Sequence, residues 1–169
     1  MPTLSDTNLK RLLAYWTAKR GNRLAPHRSD LDPLEIPSLL PIINLIDVLY
    51  EPLRFRHRLV GTAVTHALGR DATGRFVEGD LYGPATQEVF DTLVRITVEK
   101  RPFRRHSRLT WNGQKWLVME AIELPLVDDD ERVSMILRGS SFSYTDDSLI
   151  GRLYYEPLEL TPQPEDTTA

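Results

Sequence analysis

The sequence predicts an α+β domain on one antiparallel sheet, in the order helix, two strands, short helices, a longer helix, three strands. Three observations carry this. An amphipathic stripe opens the chain, proline and glycine punctuate its middle, and the second half alternates strand-like runs with hairpin turns. A doubly wound sheet would need a helix between every pair of strands, and the strand runs are too short for a barrel enzyme. With 169 residues, 41% of them hydrophobic, the chain is long enough for one domain with a proper core.

In the first helix, Ser5 and Asp6 suit the N-cap, and Leu9, Leu12, Leu13 and Trp16 recur at i, i+3, i+4 and i+7 as one apolar stripe. Lys19 and Arg20 suit the C-terminal end of the helix dipole, and Gly21 suits the closing position. Pro26, Pro33, Pro37 and Pro41 then forbid a long helix but allow single turns at Pro33 and Pro37. Residues 42–50 read as a compact apolar strand interrupted by Asn44 and Asp47, and Glu51-Pro52 is a turn signal. Residues 55–61 alternate Phe55, His57 and Leu59 against Arg56, Arg58 and Val60, so they read as a second strand pairing with the first. Thr62 to Leu68 reads as a short helix closed by Gly69, and residues 70–83 as a loop. Pro84 opens a longer helix whose buried face carries Val89, Phe90, Leu93, Ile96 and Thr97, and Pro102 ends it. The three closing strands are expected at 103–111, 115–126 and 132–144. Asn112-Gly113 and the acidic run 128–131 form the turns between them. From Glu156 onward the chain is acidic and proline-rich, and its last residues are expected to be disordered and dispensable for folding.

Composition excludes several functions. Without cysteine there is no disulfide, thiolate zinc site, iron–sulfur cluster or cysteine nucleophile. The net charge of −3 is not that of a nucleic-acid binder, and no aromatic series interleaves with the arginines around residues 101–108. No apolar run approaches the roughly 18 residues of a membrane span, and no signal peptide is visible. A cytoplasmic protein without membrane contact is expected. Of the 21 basic residues, 17 are Arg, read mainly as the coding bias of a GC-rich genome.

The phosphate-loop, dinucleotide, nucleophile-elbow and zinc-helix motifs are all missing. None of His27, His57, His66 and His106 has metal-ligand spacing to another. His57 shares a strand face with Phe55 and Leu59, which fits a backbone-bonded core histidine or a polar contact in a ligand pocket. Arg104, His106 and Arg108 project to one side of their strand, Phe103, Arg105 and Ser107 to the other. Glu120 interrupts the face set by Trp116, Val118, Ile122 and Leu124, which a salt bridge to an arginine explains. No nucleophile–base–acid set stands out, so no catalytic residue and no metal ligand is expected.

The run Arg58-Leu59-Val60-Gly61-Thr62, followed by Ala67-Leu68-Gly69-Arg70-Asp71 and Thr73-Gly74-Arg75, resembles a PAS-like family common in alphaproteobacteria. Upstream, Leu13-Ala14-Tyr15-Trp16 with Arg20-Gly21, then Asp32-Pro33, Ile36-Pro37 and Leu39-Leu40-Pro41, resembles the same family's leader. The resemblance runs from about Leu9 to Gly74 by motif, and onward to Tyr144 by element order alone. It implies a PAS-like domain over 31–153, preceded by a helix and linker over 1–30 and followed by an acidic tail over 154–169. It further implies a stand-alone sensory or protein-interaction module in bacterial signalling, acting on a separate signalling protein. The family fixes no ligand, so the cofactor is unknown; its flavin-photosensor variety needs a cysteine this chain lacks. A small ligand-processing enzyme on an α+β cup is the alternative. The sensory module predicts an apolar cavity with few titratable groups, the enzyme converging ionisable ones. A third reading is an interaction domain with a filled core.

By parity, the pocket is expected to be lined by His57 and Leu59 from the second strand, Phe90 and Leu93 from the long helix, and Trp111, Trp116 and Val118 from the meander. A one-residue slip would reverse each strand's set as a block. Two readings stay open here: a cavity for a small hydrophobic or amphipathic ligand with His57 as its polar handle, or a core filled by the aromatic side chains. The stripe ending in Trp16 gives a similar choice, between a homodimer through the N-terminal helix and packing on the chain's own sheet.

Overall fold

A computed structural model of the protein describes residues 4–108, 117–144 and 154–160. In chain order the elements are α1 (Thr7–Arg20), β1 (Ile43–Leu49), β2 (Arg54–Val60), α2 (Thr62–Leu68), α3 (Thr86–Glu99), β3 (Phe103–Arg108), β4 (Leu117–Val127), β5 (Val133–Tyr144) and β6 (Tyr154–Pro157). Short 3-10 turns link α1 to β1, two of them beginning at Pro33 and Pro37 as the prolines dictate. The strands form one antiparallel sheet in the order β2-β1-β5-β4-β3-β6. The α+β class with a single antiparallel sheet is therefore observed. The sixth strand is not among those expected: the start of the acidic tail pairs with β3, and Tyr155 stacks on Phe103 with ring centroids 4.6 Å apart.

Both faces of the sheet are covered, which sets the rest of the architecture. On the outer face lies α1, capped by Asp6, whose side chain accepts from the Asn8 and Leu9 N–H groups. Its stripe of Leu9, Leu12 and Trp16 is fully buried. Trp16 Nε1 donates to the Pro125 carbonyl at 2.9 Å. Leu9 and Leu12 cross the sheet at Gly139, where an added Cβ would lie 2.5 Å from Leu12 Cδ2. The stripe thus packs on this chain's own sheet, one of its two expected fates. The inner face is covered by α3, whose Val89, Leu93 and Ile96 are buried, and by Tyr82 from the preceding loop.

The hairpin of β1 and β2 departs from simple alternation. Leu45 pairs with Leu59 but Ile46 pairs with His57, so Arg58 is the extra residue of a β-bulge. The bulge reverses parity beyond His57. Phe55 and His57 face inward and are buried, whereas Leu59 is 45% exposed on the outer face. Leu59 is therefore not a pocket residue. The free edge of β2 is closed by the loop after α2: His57 N–H donates to the Arg75 carbonyl and Val77 N–H to the Phe55 carbonyl, each at 2.9 Å.

A second correction concerns β4. Every one of its residues is buried, so hydrophobicity cannot say which set faces which way. Ile122 pairs with Gly139, placing Val118, Glu120, Ile122 and Leu124 on the outer face under α1. The inner set is Leu117, Met119, Ala121 and Glu123. Val118, expected inward, faces outward. Trp111, Trp116 and the Asn112-Gly113 turn lie outside the described residues, as does the end of the tail from residue 161.

Candidate functional site

The inner face can be built row by row from the strand register. One row runs Asn44 (β1), Arg138 (β5), Glu123 (β4), Phe103 (β3). The next runs Ser140 (β5), Ala121 (β4), Arg105 (β3), Tyr155 (β6). Paired residues share a face, so the ladder brings two arginines and a glutamate together beneath the helices. Arg138 Nε donates to Glu123 Oε1 at 2.7 Å, and its Nη2 lies 2.5 Å from the same oxygen. Oε2 of Glu123 has no hydrogen-bond partner among the described residues, and Arg138 Nη2 is close to the carboxylate without a properly directed bond.

The electrostatics follow from this burial. Burial alone would raise the Glu123 carboxyl, but the charges of Arg138 and Arg105 outweigh it and hold the group below its ordinary value. Burial likewise opposes the charge on Arg138, and Glu123 overcomes it, so that guanidinium is held more firmly protonated than usual. Arg105 moves the other way: burial lowers it, with Glu123 offsetting part of the shift. An arginine so lowered still carries its proton near neutrality. Tyr155 is raised by burial and then by Glu123, and its hydroxyl donates to the Thr92 carbonyl at 3.0 Å. His57 is pushed down to about 3 by burial, then by the charges of Arg138 and Arg70, so its ring is neutral. It shares a hydrogen bond through Nε2 with the Tyr82 hydroxyl, while Nδ1 is buried with no hydrogen-bond partner among the described residues.

Beside these rows lies a cavity of about 50 Å³. Its sheet side is Asn44, Arg105, Ser107, Met119, Arg138 and Ser140; Val64 and Leu68 of α2, Val89 of α3 and Tyr82 cover it. Three buried polar atoms on the cavity residues have neither a hydrogen-bond nor an ion-pair partner among the described residues: Asn44 Oδ1, Arg105 Nε and Ser140 Oγ. Such atoms are costly unless something occupies the space they face.

Of the pocket residues expected from sequence, His57 faces inward beside this cavity and Leu93 is fully packed in the core. Phe90 instead lines an open groove of about 630 Å³ with Phe55, Phe76 and Arg54. There Phe90 meets Phe55 edge-on at 5.3 Å and the Arg54 guanidinium lies 3.6 Å from the Phe76 ring centre. The apolar cavity expected of a sensory cup is thus corrected to a polar one. Arg105, Glu123 and Arg138 were not singled out by sequence reasoning. Their signal was a charge inside an otherwise apolar strand: Glu123 within Leu117–Val127, and Arg138 after Met135-Ile136-Leu137. Parity did put Arg105 on the side of Phe103, opposite Arg104.

The outer face carries the other half of this alternation. Arg104 Nε and Nη2 donate to Glu120 Oε1 at 2.9 and 2.7 Å, the bridge that the interrupted apolar face implied. Glu120 also accepts from the Ser5 N–H at 3.2 Å and from the Ser5 hydroxyl, fixing the start of α1. Burial would raise its carboxyl, but the Ser5 and Arg104 hydrogen bonds hold it below the ordinary value.

Among the described residues no helix is long and apolar enough to cross a membrane, and no cluster of three metal-binding side chains occurs. A family model described as a PAS domain matches residues 4–139, from the segment before α1 to the middle of β5. No curated protein and no solved structure matches the chain.

Proposed function

Because the chain belongs to the PAS domain family, we propose that it is a sensory module of bacterial cytoplasmic signalling whose inner face holds a small molecule and whose outer face reports it to a separate signalling protein. The observation that carries this reading is the cavity of about 50 Å³ between the sheet and α2–α3, with unpartnered buried polar atoms around it. The route of the signal is β3 and β4. Adjacent residues on these strands serve opposite faces: Arg105 and Met119 lie at the cavity, Arg104 and Glu120 at the start of α1. A shift of either strand on binding reaches both.

The ionisable cluster raises the alternative of a small ligand-processing enzyme, and the protonation states favour binding over catalysis. His57 is neutral with its value near 3, Glu123 is held ionised, and Tyr155 is held protonated. None of these changes state near neutral pH, where a general acid or base must exchange its proton. The cluster instead supplies fixed charge and fixed dipoles.

Mass spectrometry of small molecules released on denaturing the protein, purified from its native host, tests the reading. One reproducible compound in near-stoichiometric amount is expected. Recovery of none, from protein shown to be folded, would leave an interaction domain without a ligand.

A further inference from the structure

We propose that the inner cavity binds a small organic monocarboxylate, about the size of acetate, with its carboxylate between Arg105, Arg138 and Ser140 and its carbon end against Val64, Leu68 and Val89. This deepens the reading of the inner face as a ligand site and rests on it.

Arg105 and Arg138 bring two positive charges to the buried rows and Glu123 one negative, with Arg105, Arg138 and Glu123 all less than a tenth exposed. Around the cavity itself, the exposed Glu88 and half-buried Arg108 add opposite charges, and the neutral His57 adds none. One buried cation is left in excess, and a buried charge without a counter-ion is strongly unfavourable. A monoanion restores balance.

Geometry narrows the anion. Arg105 Nε and Ser140 Oγ are buried, lack hydrogen-bond partners among the described residues, and come from residues lining one cavity, which Arg138, ion-paired to Glu123, lines as well. They are carried by β3 and β5, on either side of Ala121, so donors approach from two directions. Two oxygens of one carboxylate answer such a set better than a single halide centre does. Asn44 completes the polar side with an amide that offers either its oxygen or, turned over, its N–H groups. On the helix side Val64, Leu68 and Val89 form an apolar patch beside Tyr82 and Glu88, and that patch suits a carbon chain and not a fully hydrated inorganic ion. Size sets the limit: a water-sized sphere occupies roughly 10–15 Å³ of such a space, so there is room for about four non-hydrogen atoms, as in acetate.

The experiment is calorimetric titration of the full chain with sodium acetate, against sodium chloride and sodium nitrate at equal ionic strength. Saturable one-to-one binding of acetate is expected, with no saturable heat from chloride or nitrate. Arg105→Met, checked for fold by circular dichroism, is expected to weaken acetate binding by about 30-fold or more. Should that variant fail to fold, Ser140→Ala replaces it, with a loss of about fivefold. In addition, amide NMR shifts on adding acetate should centre on Arg105, Met119 and Ser140. Equal binding of the inorganic anions (an unselective anion hole), acetate binding unaffected by either variant, or no acetate binding overturns the proposal. If the compound released from native protein is uncharged, this inference fails while the sensory reading stands. If no compound is released and no anion binds, both fail.

Discussion

His57 shows how one buried side chain makes stability depend on pH. Its folded value, about 3, lies below the ordinary 6.5, so the unfolded chain binds the proton more readily. The stabilisation is complete above pH 6.5 and is lost as pH falls toward 3. Between pH 6.5 and 5 the loss should reach about 2 kcal/mol, at about 1.4 kcal/mol per unit. Glu120 and Glu123, both held low, contribute in the same direction but only below their ordinary carboxylate range. His106, half-buried on the outer face and lowered by burial and then by Arg104, adds a smaller part in the His57 window. Urea unfolding at pH 7 and pH 5 is expected to show this slope, flattened more by His57→Gln than by His106→Gln. The Glu123–Arg138 pair gives a second expectation. Glu123→Gln strands two buried guanidinium groups and should cost about 3–5 kcal/mol, whereas Glu123→Leu combined with Arg138→Met should recover much of it. Equal losses in the single and double variants would show that the pair is not what holds these rows together.

Elements differed in how far they could be read from sequence. The α1 stripe, the Thr62–Leu68 helix and the second strand of the hairpin were legible because each has a wetter and a drier face, so periodicity reports burial directly. The orientation of β4 was not legible, because α1 covers one side and α3 the other and both sets of residues are dry. The bulge at Arg58 carries no glycine or proline to announce it, and it moved Leu59 to the surface. β6 was hidden in an acidic, proline-containing stretch, since four residues of edge pairing need little hydrophobic pattern of their own. Gly139 helps to seat α1, because Leu9 and Leu12 approach the sheet closely there. Gly139→Ala sets a Cβ 2.5 Å from Leu12 and 3.1 Å from Leu9 and should cost about 1–3 kcal/mol by overpacking. Adding Leu12→Ala should then cost less than it does in the wild type, because each change relieves the other. Strict additivity in chemical denaturation would place α1 elsewhere.

Taken as a whole, the molecule is a two-sided sheet with a sealed ion network on one side and an anchored helix on the other. Composition and charge foretold the class but not the network, because Arg105, Glu123 and Arg138 lie far apart in sequence and meet only through strand register. The same register couples the faces, since the strands that carry Arg105 and Met119 to the cavity also carry Arg104 and Glu120 to Ser5. Occupancy of the cavity should therefore be felt at α1, across the sheet from any ligand. Backbone hydrogen exchange of the full chain, with and without acetate at the concentration that saturates the titration, reads this directly. Slower exchange is expected in α2 and α3, which cover the cavity, and in the first turn of α1 on the opposite face. Protection confined to α2 and α3, with α1 unchanged at saturation, would contradict transmission through the sheet.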